Sequence, residues 1–133
     1  MKTINILALV LFAMLFTANV NAQKNNKTYY YFTQATAHIP NNGGNNAIIT
    51  IVKEITCDST PLPISGIRLG VERQTRDHVK TEYNWDNFII KSYTYFSTKA
   101  EAEEKRALTI GKYERKRYKV IKDINFEYHC DEN

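Results

Sequence analysis

The chain has 133 residues, two of them cysteine, and a formal net charge of +4 at pH 7. This length fits one domain, since single domains commonly have about 100 to 150 residues. The mildly basic charge bears on solubility and non-specific association, and by itself it indicates neither a nucleic-acid nor a membrane partner. The sequence contains no phosphate-cradling glycine loop and no serine nucleophile elbow.

Residues 1–22 have the pattern of a cleavable secretory signal peptide. Lys2 provides the one charge, residues 4–16 are largely apolar, and Val20 and Ala22 lie at the −3 and −1 positions that a signal peptidase reads. The apolar stretch is shorter than the roughly 20 residues that span a bilayer, and the rest of the chain has no stretch approaching that length. We therefore expect a secreted or periplasmic protein that is cleaved after Ala22.

Residues 23–28 are polar and are predicted to form a flexible N-terminus, and residues 29–133 are predicted to form a single domain. Residues 29–39 and 47–57 are rich in aromatic and β-branched side chains, which favours two β-strands. The Pro, Asn and Gly residues at 40–46 predict a hairpin turn between them. The alternation of side chains predicts one inward face in the second strand, made of Ile49, Ile51, Ile55 and Cys57.

Residues 64–83 are compatible with either a helix or a strand. Apolar and small residues recur there at helical spacing, at Ile64, Ile67, Val71, Thr75, Val79 and Tyr83. However, Gly66 and Gly70 would each cost a helix about 1 kcal/mol, and Ile67, Leu69 and Val71 also alternate like a strand. We predict a helix from about Gly70 onward.

A turn at residues 84–87 is predicted to precede a strand at 88–96. Period-two alternation places Phe88, Ile90 and Phe96 on one side of that strand. These three side chains are therefore expected to face the core together.

Residues 99–110 are strong helix formers and predict a second helix. Thr98 and Glu101 are spaced as a capping box, in which the hydroxyl and the carboxylate bind free amides of the first turn. Gly111 is predicted to end this helix.

A final strand is predicted from Tyr118 to Cys130, because apolar and polar residues alternate there. The apolar face comprises Val120, Ile124, Phe126, Tyr128 and Cys130, and the polar face comprises Lys119, Asp123, Asn125, Glu127 and His129. The elements together predict an α+β domain of about four strands in the order β-β-α-β-α-β, with both helices on one face of the sheet.

Cys57 and Cys130 are predicted to form one structural disulfide. Export would expose both thiols to an oxidising compartment, and they lack the Cys-x-x-Cys spacing of a redox pair. The bond would place the second and last strands side by side and parallel. Unpaired or intermolecular thiols are the alternative.

The last strand also carries candidate metal ligands at Glu127, His129 and Asp131, in the same row as Asp123 and Asn125. Oxygen and nitrogen ligands bind a metal ion when three or more of them converge. Same-face neighbours on a strand are about 6.6 Å apart, twice the rise per residue, so a solvated polar face is the alternative. Nothing in the sequence indicates an organic cofactor.

A basic segment at residues 112–122 is the strongest local charge feature, with a net charge of +5 in 11 residues from six cations and Glu114. Its cations are Lys112, Arg115, Lys116, Arg117, Lys119 and Lys122. Interleaved with Tyr113 and Tyr118, they suit a polyanion, whether nucleic acid, glycan or lipid headgroup. The alternative is an ordinary helix C-terminus followed by edge lysines, and acidic residues at 101, 103 and 104 would neutralise the segment if they shared its face.

His38, His78 and His129 lie in three different predicted elements, without metal-binding spacing. They are the acid–base candidates near neutral pH, and a catalytic role would require two of them to meet carboxylates in a cleft. Trp85 is a candidate for stacking on a sugar ring, although a lone tryptophan before a strand also commonly plugs a core.

These features favour a non-enzymatic binding or structural module that is secreted or associated with the cell envelope. Its partner and its oligomeric state remain open, with a protein or a polyanionic surface as the candidate partners. Polyanion binding through the basic segment is one alternative function. A small secreted hydrolase or metal-dependent enzyme that uses the histidines is the other.

Overall fold

The computed structural model describes residues 28–40, 43–57 and 64–130. In these ranges five strands and two helices follow one another as β1 (Tyr29–Ile39), β2 (Gly44–Thr50), β3 (Lys53–Ile55), α1 (Ile64–Tyr83), β4 (Ile89–Phe96), α2 (Lys99–Arg115) and β5 (Lys119–Asp123). The predicted α+β class is confirmed, and the order of elements matches except that the predicted second strand is divided into β2 and β3, which gives five strands instead of about four. The predicted signal peptide and the candidate ligand Asp131 lie outside the described residues.

The sheet is built around β1. Its antiparallel partners are β2 and β3 on one edge and β4 on the other. β5 lies beside β2 and runs parallel to it, from Asn46 paired with Lys119 to Thr50 paired with Asp123. The prediction that the second and last strands are parallel neighbours is therefore confirmed.

A β-bulge separates β2 from β3. Gln34 of β1 pairs with Ile49, but Tyr31 pairs with Lys53, so two residues of β1 face three residues of the other arm. One extra residue sends the side chains that follow it to the opposite face of the sheet. Consequently Ile49 packs beside Phe32 while Ile55 packs beside Tyr31, and the predicted single face for Ile49, Ile51, Ile55 and Cys57 is wrong.

A second irregularity lies between β1 and β4. Tyr30 pairs with Phe96, whereas Phe32 pairs with Tyr93, so the register shifts by one residue. Phe96 accordingly packs with Phe32 on one face of the sheet, while Ile90 packs on the other. The predicted common side for Phe88, Ile90 and Phe96 is therefore wrong for Phe96.

The two helices cover opposite faces of the sheet. On one face, Ile67 and Val71 of α1 pack with Tyr31. On the other, Ala102 of α2 packs with Phe32. The prediction of both helices on one face is wrong, because adjacent residues of β1 are both buried and each face of the strand needs its own cover.

Both helices are longer than predicted. α1 begins at Ile64 rather than near Gly70, and the burial of Ile67, which is 7% exposed, offsets the weak helix propensity of its glycines. α2 continues through Gly111 to Arg115. It ends where Arg117 adopts a left-handed conformation, with φ at 60°.

The last strand is shorter than predicted. β5 ends at Asp123, whereas the predicted strand continued to Cys130. The Asp123 carboxylate accepts the backbone N–H groups of Asn125 at 2.7 Å and Phe126 at 3.1 Å, which turns the chain out of the sheet. Ile124 is then 65% exposed. Beyond this turn the chain packs against Tyr31 through Phe126 and Tyr128.

The predicted disulfide is confirmed. Cys57 follows β3 and is bonded to Cys130, with their Cα atoms 5.8 Å apart. Both half-cystines pack against the cluster that contains Tyr31. Among the described residues, neither helix combines the length and the apolar character needed to cross a bilayer.

A basic cleft as the candidate functional site

A cleft of about 280 Å³ opens between α2 and β4, above the middle of β1. Of the residues that the structure describes, four cationic side chains line it: Lys91, Lys105, Lys112 and Arg115. Gln34 and Tyr93 also line the cleft, as do Leu108 and Thr109. The arrangement is a polar cavity whose rim is positive.

Helix geometry places the α2 residues of this cleft on one side of the helix. Lys105, Leu108, Lys112 and Arg115 are separated by three, four and three residues, and such spacings repeat along one face. The first turn of α2 is capped by Thr98, whose hydroxyl accepts the N–H of Glu101 at 3.2 Å. Because the helix continues past Gly111, Lys112 and Arg115 are held in regular structure.

The floor of the cleft is a hydrogen-bonded side-chain amide. Gln34 is 7% exposed, its Oε1 accepts the hydroxyl of Tyr93 at 3.3 Å, and its Nε2 donates to the hydroxyl of Tyr113 at 2.7 Å. These two bonds fix which end of the amide faces each tyrosine.

The tyrosine rings also position two of the lysines. The Lys91 ammonium lies 5.1 Å from the centroid of Tyr93, and that of Lys112 lies 5.8 Å from the centroid of Tyr113. Both distances are within the range of cation–π attraction. The ring of Phe32 stacks on Tyr93, with centroids 4.6 Å apart.

Charge is unbalanced at this site. Among the described residues, no carboxylate lines the cleft beside its four cations. Glu103 lies 3.8 Å from Arg106 on the same helix, and Glu101 and Glu104 are exposed outside the lining. The cleft therefore carries a local excess of positive charge, although the whole chain is only mildly basic.

The structure divides the predicted basic segment. Lys112 and Arg115 line the cleft. Lys116 and Arg117 lie at the end of α2, and Lys119 and Lys122 lie exposed on β5.

Lys91 and Lys105 are not among the site residues that the sequence predicts. The position of Lys105, seven residues before Lys112 on the same helix, is a signal that could have found it. Lys91 joins the cleft only because β4 pairs with β1.

The three histidines lie in separate places. His38 bonds the side chain of Asn45 at 3.0 Å, and His129 bonds Gln74 through its backbone. Only His78 has a carboxylate partner among the described residues, with its Nε2 2.6 Å from Asp123 Oδ2.

The pKa values of Asp123 and of Tyr83, which is hydrogen-bonded to it, are both shifted. Burial alone would raise the pKa of Asp123, but the N–H of Asn125, then the His78 ring and the N–H of Phe126, hold this pKa below its ordinary value. Burial, followed by a hydrogen bond to Asp123, raises the pKa of Tyr83 to about 12.

The candidate metal ligands do not meet in the described part of the chain. Glu127 lies 3.4 Å from Lys53, the backbone of His129 is bonded to Gln74, and Asp131 is outside the described residues. No group of three His, Cys, Asp or Glu side chains that could hold a metal ion occurs in residues 28–40, 43–57 and 64–130.

Trp85 lies in a core. It is 6% exposed, and its ring contacts those of Tyr83 and Phe88. In this position it offers no open face for stacking on a sugar ring.

Comparisons of this chain with protein-family models, with curated proteins and with solved structures find no match.

Proposed function

We propose that this protein is an exported binding module that captures an anionic ligand in the basic cleft. The observation that carries the proposal is the convergence of Lys91, Lys105, Lys112 and Arg115 around a buried amide, with no lining carboxylate among the described residues. The disulfide supports the export part of the proposal, because such bonds persist in oxidising compartments.

The cleft combines two kinds of cationic recognition. Arg115 offers a planar fork that can bind two oxygens of one anionic group. The three lysines act as point charges, and two of them are held beside tyrosine rings. Such a site suits a ligand with several negative groups, because each cation can neutralise one of them.

The test compares variants that remove equal charge from different places. Lys105→Gln/Lys112→Gln removes two charges from the cleft, and Lys119→Gln/Lys122→Gln removes two from exposed positions of β5. Binding of a fluorescent heparin octasaccharide, a fluorescent oligothymidylate and inorganic tripolyphosphate is measured at low salt. For at least one probe, we expect the cleft pair to weaken binding by about tenfold and the β5 pair by less than about twofold.

Salt dependence provides a second measurement. Four cations engaging a single-stranded polyanion give a log–log slope of about −3, at ~0.7 per contact. The cleft pair should reduce this slope by about half. Absence of binding to all three probes would contradict the proposal. Equal losses of affinity in the two double variants would contradict binding in the cleft and would indicate binding along residues 112–122.

A further inference from the structure

On the basis of the proposed function, we infer that the ligand is an anionic polysaccharide, recognised through sulfate or carboxylate groups, and not a single-stranded nucleic acid. Proteins that bind single-stranded nucleic acids stack bases on aromatic side chains. The covered ring of Tyr93 and the apolar side chain of Leu108, both among the described residues that line the cleft, favour a sugar chain.

The ring of Tyr93, which lines the cleft, is already in contact with other side chains. Phe32 stacks on Tyr93 at 4.6 Å with an interplanar angle of 14°, and the Lys91 ammonium lies over the same ring. A base could stack here only by displacing Lys91, which is also a cation needed to neutralise a phosphate. Tyr113, whose hydroxyl is bonded to Gln34 beneath the cleft, contacts the Lys112 ammonium and the ring of Tyr118, whose centroid is 5.0 Å away.

The α2 wall offers charged and apolar contacts in alternation. Lys105 and Lys112 are seven residues apart, which is about 10 Å along the helix axis at 1.5 Å per residue. Leu108 lies between them, lines the cleft and is 62% exposed. A sugar ring with anionic substituents presents a C–H surface between charged groups, so it can contact Leu108 while its charges meet the two lysines.

The experiment measures dissociation constants of the intact protein for five probes of matched length. These are a sulfated heparin octasaccharide, a carboxylated oligogalacturonate, a neutral maltooctaose, an oligothymidylate and an abasic oligodeoxyribose phosphate. We expect the sulfated or the carboxylated oligosaccharide to bind about tenfold more tightly than the oligothymidylate. The difference between the two sugar probes identifies the anionic group, and the thymidylate and abasic oligomers should bind equally within about twofold.

Leu108→Gln provides the matched variant, because it removes apolar surface at an exposed position and leaves every charge. It should weaken the oligosaccharide several-fold and leave the oligonucleotides unchanged. Tighter binding of the thymidylate oligomer than of both anionic sugars, or a preference of about tenfold for thymidylate over the abasic oligomer, would overturn this inference but preserve anion binding. Equal binding of maltooctaose and the anionic sugars, or no binding of any probe, would overturn the proposed function itself.

Discussion

Asp123 is a buried carboxylate that holds separate parts of the chain together. Its side chain is fully buried. One oxygen accepts two backbone N–H groups of the turn that follows β5, and the other contacts His78 of α1. Its own carbonyl accepts the N–H of Ile51 at 2.9 Å. Because the carboxylate form makes these bonds, the fold depends on its ionisation.

We predict that Asp123→Asn lowers the free energy of unfolding by about 2–3 kcal/mol at pH 7, since hydrogen bonds to charged groups contribute about 1.5–3 kcal/mol. The pKa of Asp123 is depressed in the folded protein, so its stabilising effect is fully present above the unfolded pKa. This effect is lost as the pH falls through the lower folded pKa. Denaturant titrations at pH 7 and below pH 4 should therefore show the gap between wild type and variant narrowing in acid.

Asp77→Asn is the matched control for this prediction, because Asp77 is exposed on the same helix as His78. Its effect on the unfolding free energy should stay within about 0.5 kcal/mol. A gap between wild type and Asp123→Asn that is constant with pH would refute the role assigned to the carboxylate.

At the bulge between β2 and β3, where pairing with β1 is interrupted, side chains stabilise the backbone. The ladder breaks there, and the N–H of Thr33 is bonded instead to the Thr50 hydroxyl at 2.8 Å. The carbonyl of Thr50 accepts the Arg106 side chain at 2.6 Å. Side chains thus replace hydrogen bonds that regular strand pairing would supply.

Two threonine variants test this account with opposite expectations. Thr50→Val should lower the unfolding free energy by about 1–3 kcal/mol, because it leaves the buried N–H of Thr33 unsatisfied. Thr94→Val should be neutral or slightly stabilising, since the Thr94 hydroxyl is buried with no hydrogen-bond partner among the described residues. Chemical denaturation of both variants distinguishes them, and similar losses for the two would show that the hydroxyl of Thr50 has no special role.

At the scale of the whole molecule, the disulfide secures a segment that belongs to no strand. Phe126 and Tyr128 pack edge-on against Tyr31, with ring centroids 6.3 Å away in each case. The N–H of Tyr128 donates to the Tyr31 hydroxyl at 2.8 Å. Cys130 forms the disulfide with Cys57, which follows β3. The bond therefore links the end of the described chain covalently to the arm of the first hairpin.

We predict that reduction lowers the free energy of unfolding by up to about 4 kcal/mol, the chain-entropy value for a loop of this length. Guanidinium titrations with and without reductant measure the change, and intact mass confirms that the bond was present. Cys57→Ser/Cys130→Ser should match the reduced protein and should not respond to reductant. An unchanged wild-type midpoint after complete reduction would contradict this prediction.

The sequence by itself determined the features that depend on neighbours within one or two turns of chain, and also the disulfide, whose pairing follows from the number of cysteines. The helical spacing of Ile67, Val71 and Val79 predicted α1, and each of these residues is buried. Thr98 marked the start of α2. The lone pair of cysteines predicted the disulfide, because two thiols in an oxidising compartment have one intramolecular pairing.

Only the tertiary structure decided which side chains share a face and which basic residues share a cleft. A bulge changes the phase of a strand by one residue without a distinct local pattern, so Ile49 and Ile55 were assigned to one face. The site likewise joins residues far apart in sequence, since Lys91 meets Lys112 through the pairing of β4 with β1 and the packing of α2. Counting charge along the chain identified only Lys112 and Arg115 among the described cations of the cleft, because Lys105 lies outside the dense basic segment and Lys91 is brought near by folding.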